Sequence, residues 1–197
     1  MKKLMTIFIL TLFSTQAFSS GSDHMMDNGK TMKNGKMMGK GNSMGSQKMM
    51  GESKNSKRKT VAKKVKRQLI KMLSDNESLH NSFYKYNAKK VEKHAKKVAD
   101  SLSKVTDPEI VKLMAFAKTK LAEIEEKSPR ESNDQNYHLF SMALIHLINS
   151  YDVGPKYNAY SCPMVKKKWV QNSKKMAKVH NPYAPNMPHC GSQNTHH

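Results

Sequence analysis

The sequence predicts an all-α protein: an antiparallel four-helix bundle with an irregular Pro-rich C-terminal segment and a disordered N-terminal arm. Three observations lead there. Apolar residues recur three and four apart between Ser56 and Tyr151, the period of a helix face. No stretch of useful length alternates apolar with polar residues. Chain-breaking residues lie mostly on the flanks, with seven of nine glycines between Gly21 and Gly51 and five of seven prolines between Pro155 and Pro188.

The chain opens with Lys2-Lys3, the apolar run Leu4 to Phe13, and small residues at Ala17 and Ser19, the pattern of a cleavable secretory signal over residues 1–19. That run is shorter than the roughly 20 apolar residues of a membrane span. The mature protein is therefore expected in a periplasm or secreted, with no transmembrane anchor after cleavage. Residues 20–57 are mostly Gly, Ser, Asn, Lys and Met, without Phe, Trp or Tyr. Such a segment buries too little apolar surface to offset the ordering of its backbone, so it predicts a free arm. A domain over 58–192 and a short tail over 193–197 complete the division.

Within the domain, Val61, Val65, Leu69, Met72 and Leu73 share the face of a first helix. Tyr84, Ala88, Val91, Ala95, Val98 and Leu102 form a second stripe. Asp107-Pro108 reads as N-cap and first helical residue of a third helix, carried by Ile110, Met114, Ala117, Leu121 and Ile124 to Lys127. Ser128-Pro129 stops it. Tyr137, Phe140, Leu144, Leu147 and Tyr151 give a fourth, ending before Gly154-Pro155. Beyond Val153 the chain is expected to be irregular, with only Lys166 to Val179 able to form a further helix, folded back through Tyr157, Tyr160, Trp169 and Tyr183.

Charge is large and uneven. The formal net charge is +20, and residues 57–105 alone hold fifteen Lys/Arg against four acids. Such a run is a solvated helix face or a surface for polyanions, an anionic membrane among them. No nucleic-acid motif accompanies it, so no specific nucleic-acid partner is expected. There is no Ser-His-Asp arrangement, phosphate-cradling glycine loop or pair of carboxylates set for acid–base work. The sequence predicts no enzyme.

Sulfur is the remaining signal. Eight of sixteen methionines lie between Met25 and Met50 (Met25, Met26, Met32, Met37, Met38, Met44, Met49 and Met50), with His24 beside them. Both cysteines lie near the other end, in Cys162-Pro163-Met164 and Met187-Pro188-His189-Cys190. Thiols and thioethers are soft donors that suit Cu(I) or Ag(I). A bend at Pro163 and a tight turn over Met187–Cys190 would let Cys162, Met164, Met187 and Cys190 share one ion, with His180 and His189 as extra donors. The arm would form a secondary site, because flexible glycine spacing lets several thioethers converge.

The run Tyr160-Ser161-Cys162-Pro163-Met164, then Trp169, Asn181-Pro182-Tyr183, Met187 and Cys190-Gly191 resembles the motif of the domain of unknown function three-three-four-seven family. Leu139 to Leu144 is similar to that family's fourth helix. The resemblance spans residues 58–192, and its specific part is 160–191. It implies a small periplasmic helical domain, alone or fused to adaptor subunits of copper and silver efflux systems. An efflux adaptor or another periplasmic metal carrier is then the implied partner, and the four sulfur residues the natural ligands. Trp169, Asn181, Pro182, Tyr183 and Gly191 would be structural motif residues. The chain departs from the pattern at Lys166-Lys167-Lys168, where a longer glycine-containing spacer is usual, and at Pro185, where a glycine is expected. The methionine arm resembles Met-rich segments of periplasmic copper and silver resistance proteins.

A second reading stays open. An exported protein with two cysteines commonly joins them. A Cys162–Cys190 disulfide would close 27 intervening residues and contribute about 3–4 kcal/mol. On that reading the protein is a basic envelope- or polyanion-binding helical module. A redox-switched site, binding metal only when the thiols are reduced, would satisfy both.

Overall fold

A computed structural model describes residues 57–197. The expected signal segment and all but the last residue of the expected arm lie outside the described residues. The observed order is α1 (Lys63–Tyr84), α2 (Ala88–Ser103), α3 (Pro108–Leu113), α4 (Ala115–Ala122), α5 (Arg130–Ser150), β1 (Tyr157–Cys162), β2 (Lys167–Asn172) and β3 (Ser192–Gln193). The predicted all-α four-helix bundle is thus corrected. The fold is five helices plus a three-stranded antiparallel sheet of order β2-β1-β3.

The helical stripes do bury. Leu69, Met72 and Leu73 of α1, Val91, Ala95 and Val98 of α2, and Phe140, Leu144 and Leu147 of α5 lie in one apolar core. The predicted cap holds, as the Asp107 side chain accepts from the Ile110 N–H at 3.1 Å with Pro108 following. Two boundaries differ. Tyr84 closes α1, and Asn87 caps α2 by accepting from the Lys90 N–H at 2.9 Å. The expected third helix breaks at the buried Met114 into α3 and α4 and ends at Ala122. Among the described residues no helix is long and apolar enough to cross a membrane.

The C-terminal segment is ordered by strand pairing. Lys166–Val179 forms no helix, because β2 pairs with β1 in the register Tyr157↔Asn172, Tyr160↔Trp169 and Cys162↔Lys167. Alternation is absent from the sequence because both faces of β1 are covered, and Tyr157, Asn158, Ala159 and Tyr160 are all buried. A strand buried on both sides loses its two-residue signature. The chain continues from β3 along β1, where Asn194 N–H donates to Ala159 C=O at 2.7 Å and Ala159 N–H to Thr195 Oγ1 at 2.9 Å.

Glu77 of α1 fastens the sheet to the helices. Its carboxylate accepts from Tyr157 Oη at 2.6 Å, Asn172 Nδ2 at 2.8 Å and Lys175 Nζ at 2.7 Å. Burial works to raise its pKa, yet these three donors hold it below the ordinary value. On the other side of the sheet, Tyr183 joins the two layers, with ring centroids 5.8 Å from Tyr137 and 6.2 Å from Trp169.

Candidate soft-metal centre

β1 ends at Cys162, and the four residues 163–166 reverse the chain into β2. The bend expected at Pro163 is therefore present, and Lys166 closes it with φ of 51°. This is left-handed backbone that a β-carbon disfavours. It falls in the lysine run Lys166-Lys167-Lys168. On the facing segment, Cys190 N–H donates to Met187 C=O at 3.0 Å, the tight turn that the spacing predicts.

Asn181 organises that segment. Its Nδ2 donates to Cys190 C=O at 3.0 Å, its Oδ1 accepts from Tyr183 N–H at 3.0 Å, and its N–H donates to Pro188 C=O at 2.8 Å. Pro182, between Asn181 and Tyr183, is buried and accepts from Arg130 Nη2 at 3.4 Å. Gly191 has φ of +133°, and a β-carbon there would sit 2.7 Å from Ser161 O and 2.9 Å from the Trp169 ring. The close approach requires glycine. Trp169 is fully buried and stacks on Tyr160 with centroids 6.1 Å apart. These motif residues thus form one scaffold around the cysteine pair.

The scaffold brings Cys162 Sγ and Cys190 Sγ to 2.6 Å, both as free thiols. Cys162 is buried and Cys190 half-buried. Burial pushes the Cys162 thiol up, but hydrogen bonds from Cys190, the Val165 and Met164 amides and Asn181 outweigh it, leaving its pKa below the ordinary value. Cys190 moves the other way, chiefly because its S–H is held by Cys162 and further because it is partly desolvated. The pair therefore gives up its first proton readily and its second reluctantly.

The thioethers are placed differently. Met164 is 67 % exposed and Met187 38 % exposed, so both stand at the surface beside the thiols in sequence. His189 Nδ1 lies 2.7 Å from Val179 C=O, which makes it a donor there and leaves Nε2 as the free ring nitrogen. The His180 ring stacks on Tyr84 at 4.6 Å, with its Nδ1 buried and unpartnered. Among the described residues no three His, Cys, Asp or Glu side chains are arranged to hold a metal ion. A soft ion here would rest on two thiolates and on thioethers. The arm donors His24, Met25, Met26, Met32, Met37, Met38, Met44, Met49 and Met50 lie outside the described residues.

Two sulfurs on one ion, each about 2.3 Å from it, stand roughly 3.7–4.6 Å apart depending on the angle. At 2.6 Å the thiols are closer than that, and a side-chain rotation must part them before an ion enters. The exposed side of the pair is Cys190, on the segment between Met187 and Gly191.

Sequence reasoning did not single out Glu77, Gln171 or Arg130 of this scaffold, and it named Lys166 only within a lysine run and not as the residue that closes the turn. Gln171 is buried and ties the loop after β2, accepting from Trp169 Nε1 and His180 N–H and donating to Met176 and Lys178 carbonyls. Glu77 carried a readable signal, because it follows Leu73 by four and precedes His80 by three, on the buried side of a basic helix. Comparison with known proteins gave no matching family model, curated protein or solved structure.

Proposed function

We propose that this protein is a non-catalytic, extracytoplasmic carrier of Cu(I) or Ag(I). The Cys162–Cys190 pair holds the ion, and Met164 and Met187 serve as exposed entry and exit ligands. The observation that carries this reading is the paired thiols, with amide donors favouring the Cys162 thiolate and thioether residues exposed beside it in sequence. A thiolate couple binds a soft monovalent cation, and neutral thioethers hand it on without a proton change. The methionine arm would collect ions for the loop, and an efflux adaptor or second carrier would receive them. The likeness of residues 160–191 to the domain of unknown function three-three-four-seven motif points the same way.

The close sulfur contact favours a second state. Thiols this near need little motion to form a disulfide once a two-electron oxidant of the extracytoplasmic space takes their two electrons and two protons are released, which would expel the ion and leave a structural cross-link. On this reading the basic helices, with an anionic surface as partner, are what remains of function.

Anaerobic titration of the reduced chain with Cu(I) against a colorimetric chelator tests the proposal. The tightest equivalent should vanish in Cys162→Ser and Cys190→Ser and weaken in Met187→Leu. Absence of competition by the reduced wild type would remove the carrier reading. A thiol count on freshly isolated protein reports which state is populated.

A further inference from the structure

The start of α1 and the end of α2 enclose a cleft that soft-ion binding does not use. It is open, about 430 Å³ in volume, and lined by Lys64, Arg67 and Lys71 from α1, Lys97 from α2 and Lys104 just past its end. The positions 64, 67 and 71 share one helix face, and 97 and 104 are two turns apart along the line of the opposing helix. Two acids accompany them, Asp75 and Asp100, so the walls hold five cations against two carboxylates.

Asp75 is already committed. It is buried, pairs with Lys71 at 2.5 Å and Lys97 at 3.2 Å, and accepts from Ser101 Oγ. Among the described residues, Lys64, Arg67 and Lys104 have no carboxylate within ion-pair distance, and they point into the same space. The backbone adds to the imbalance. α1 begins after Ala62 with no side-chain cap and no acid in its first turn, and Lys63, Lys64, Lys66 and Arg67 crowd its positive dipole end. Cations there oppose the dipole, and uncapped N–H groups want an acceptor. Lys66 is paired with Asp152 at 2.7 Å, but among the described residues Lys64, Arg67 and Lys104 are not so paired, and a multivalent anion in the cleft would relieve these three.

We propose that this cleft binds a multivalent phosphate-bearing anion. Arg67 offers a planar fork that a phosphate accepts in two places, and Lys64 and Lys104 supply mobile point charges on either side. Ser101 and Asp75 fix the cleft floor, so the site is more than a diffuse positive field. The volume falls within the range of small-ligand sites, which fits linked phosphates rather than a lone ion. A soluble condensed phosphate and the phosphates of a lipid headgroup share this chemistry.

The test uses the full reduced chain without copper at low ionic strength, with sodium tripolyphosphate as probe in calorimetric titration. The groove variant is Lys64→Gln/Arg67→Gln/Lys104→Gln. The charge-matched control is Lys85→Gln/Lys89→Gln/Lys118→Gln, at exposed positions outside the cleft. Far-ultraviolet circular dichroism checks that both fold. Binding by the wild type, kept by the control and weakened at least about 30-fold in the groove variant, supports the site. No binding by wild type, or equal loss in both variants, overturns it, since equal loss means bulk charge alone. Co-sedimentation with phosphatidylcholine vesicles, with and without phosphatidylglycerol, distinguishes the sources. Retention on phosphatidylglycerol that the groove variant loses assigns the lipid headgroup, and groove-dependent binding of tripolyphosphate alone assigns the soluble anion.

Discussion

The helical region, residues 63–150, and the sheet region, residues 157–193, are stabilised by different means. The helices bury regular stripes of Leu, Val, Ile and Phe, so many residues share the work and each is replaceable by another apolar group of similar size. The sheet region has short strands and stands on single residues: Trp169 in its centre, Asn181 and Gln171 as multiple hydrogen-bond partners, Gly191 at a contact where no side chain fits. Redundant packing tolerates change, whereas a scaffold of unique residues can hold two thiols in a defined relation. Both thiols accordingly sit in the second region, while positive charge is shared: seventeen basic residues face eleven acids in the first, and six lysines stand without an acid in the second.

Several substitutions sharpen this contrast, and the largest effect is expected at Trp169. Trp169→Ala should cost about 3–5 kcal/mol and expose both thiols, read by urea unfolding and by thiol labelling rate. A labelling rate unchanged from wild type would separate the thiol pair from its supposed scaffold. In the helical region the comparable weak point is a charge. Burial, reinforced by nearby His180, lowers the pKa of His80 from 6.5 to about 3. The folded chain therefore refuses a proton that the unfolded chain accepts. Stability is full above about pH 6.5 and falls toward pH 3, by up to about 1.4 kcal/mol per pH unit from this group. His80→Phe should flatten that acid limb in thermal melts, and an unchanged slope would show that other groups govern it.

Gly191→Ala is expected to destabilise by about 2 kcal/mol, since it combines a disfavoured φ with a clash against Ser161 and Trp169. Trp169 fluorescence, from the only tryptophan, is the local probe. Asp134 gives an effect of opposite sign. Burial raises its pKa from 3.8 to about 6, because Oδ1 has no partner and Arg130 reaches Oδ2 only at 3.4 Å. Its folded form favours the proton, so it penalises the fold above about pH 6 and ceases to do so as pH falls toward 4. Asp134→Asn should stabilise at pH 8 by about 1–2 kcal/mol and change little at pH 4. A loss at pH 8 would mean that the Arg130 contact outweighs the burial. The smallest change is Lys166→Gly, which relieves left-handed backbone at φ of 51° and should add about 0.5–1 kcal/mol. A lowered Tm would show that the Lys166 side chain contributes more than its backbone costs.

The helices were legible because one face of each meets a core and the other meets water, which leaves a period in the sequence. Leu69, Val98 and Phe140 were placed correctly for that reason. The same logic failed for β1, where the neighbours Ala159 and Tyr160, on opposite faces, are both buried and no alternation survives. It failed again for Lys166–Val179, whose helix-compatible composition yields to pairing with β1. The break at Met114 was also hidden, since a buried methionine reads the same in one helix or between two.

By itself the sequence determined that helices lie between residues 61 and 151 and which apolar stripes they bury, that positive charge concentrates on the first two, and that every thiol lies near the C-terminal end. Those properties follow from residue type and spacing, which are local. Only the tertiary structure decided that strands form after Val153, that Glu77 anchors them, and that two thiols 28 residues apart touch. Strand pairing and sulfur contact join residues distant along the chain, and no local period records which partner a residue will meet.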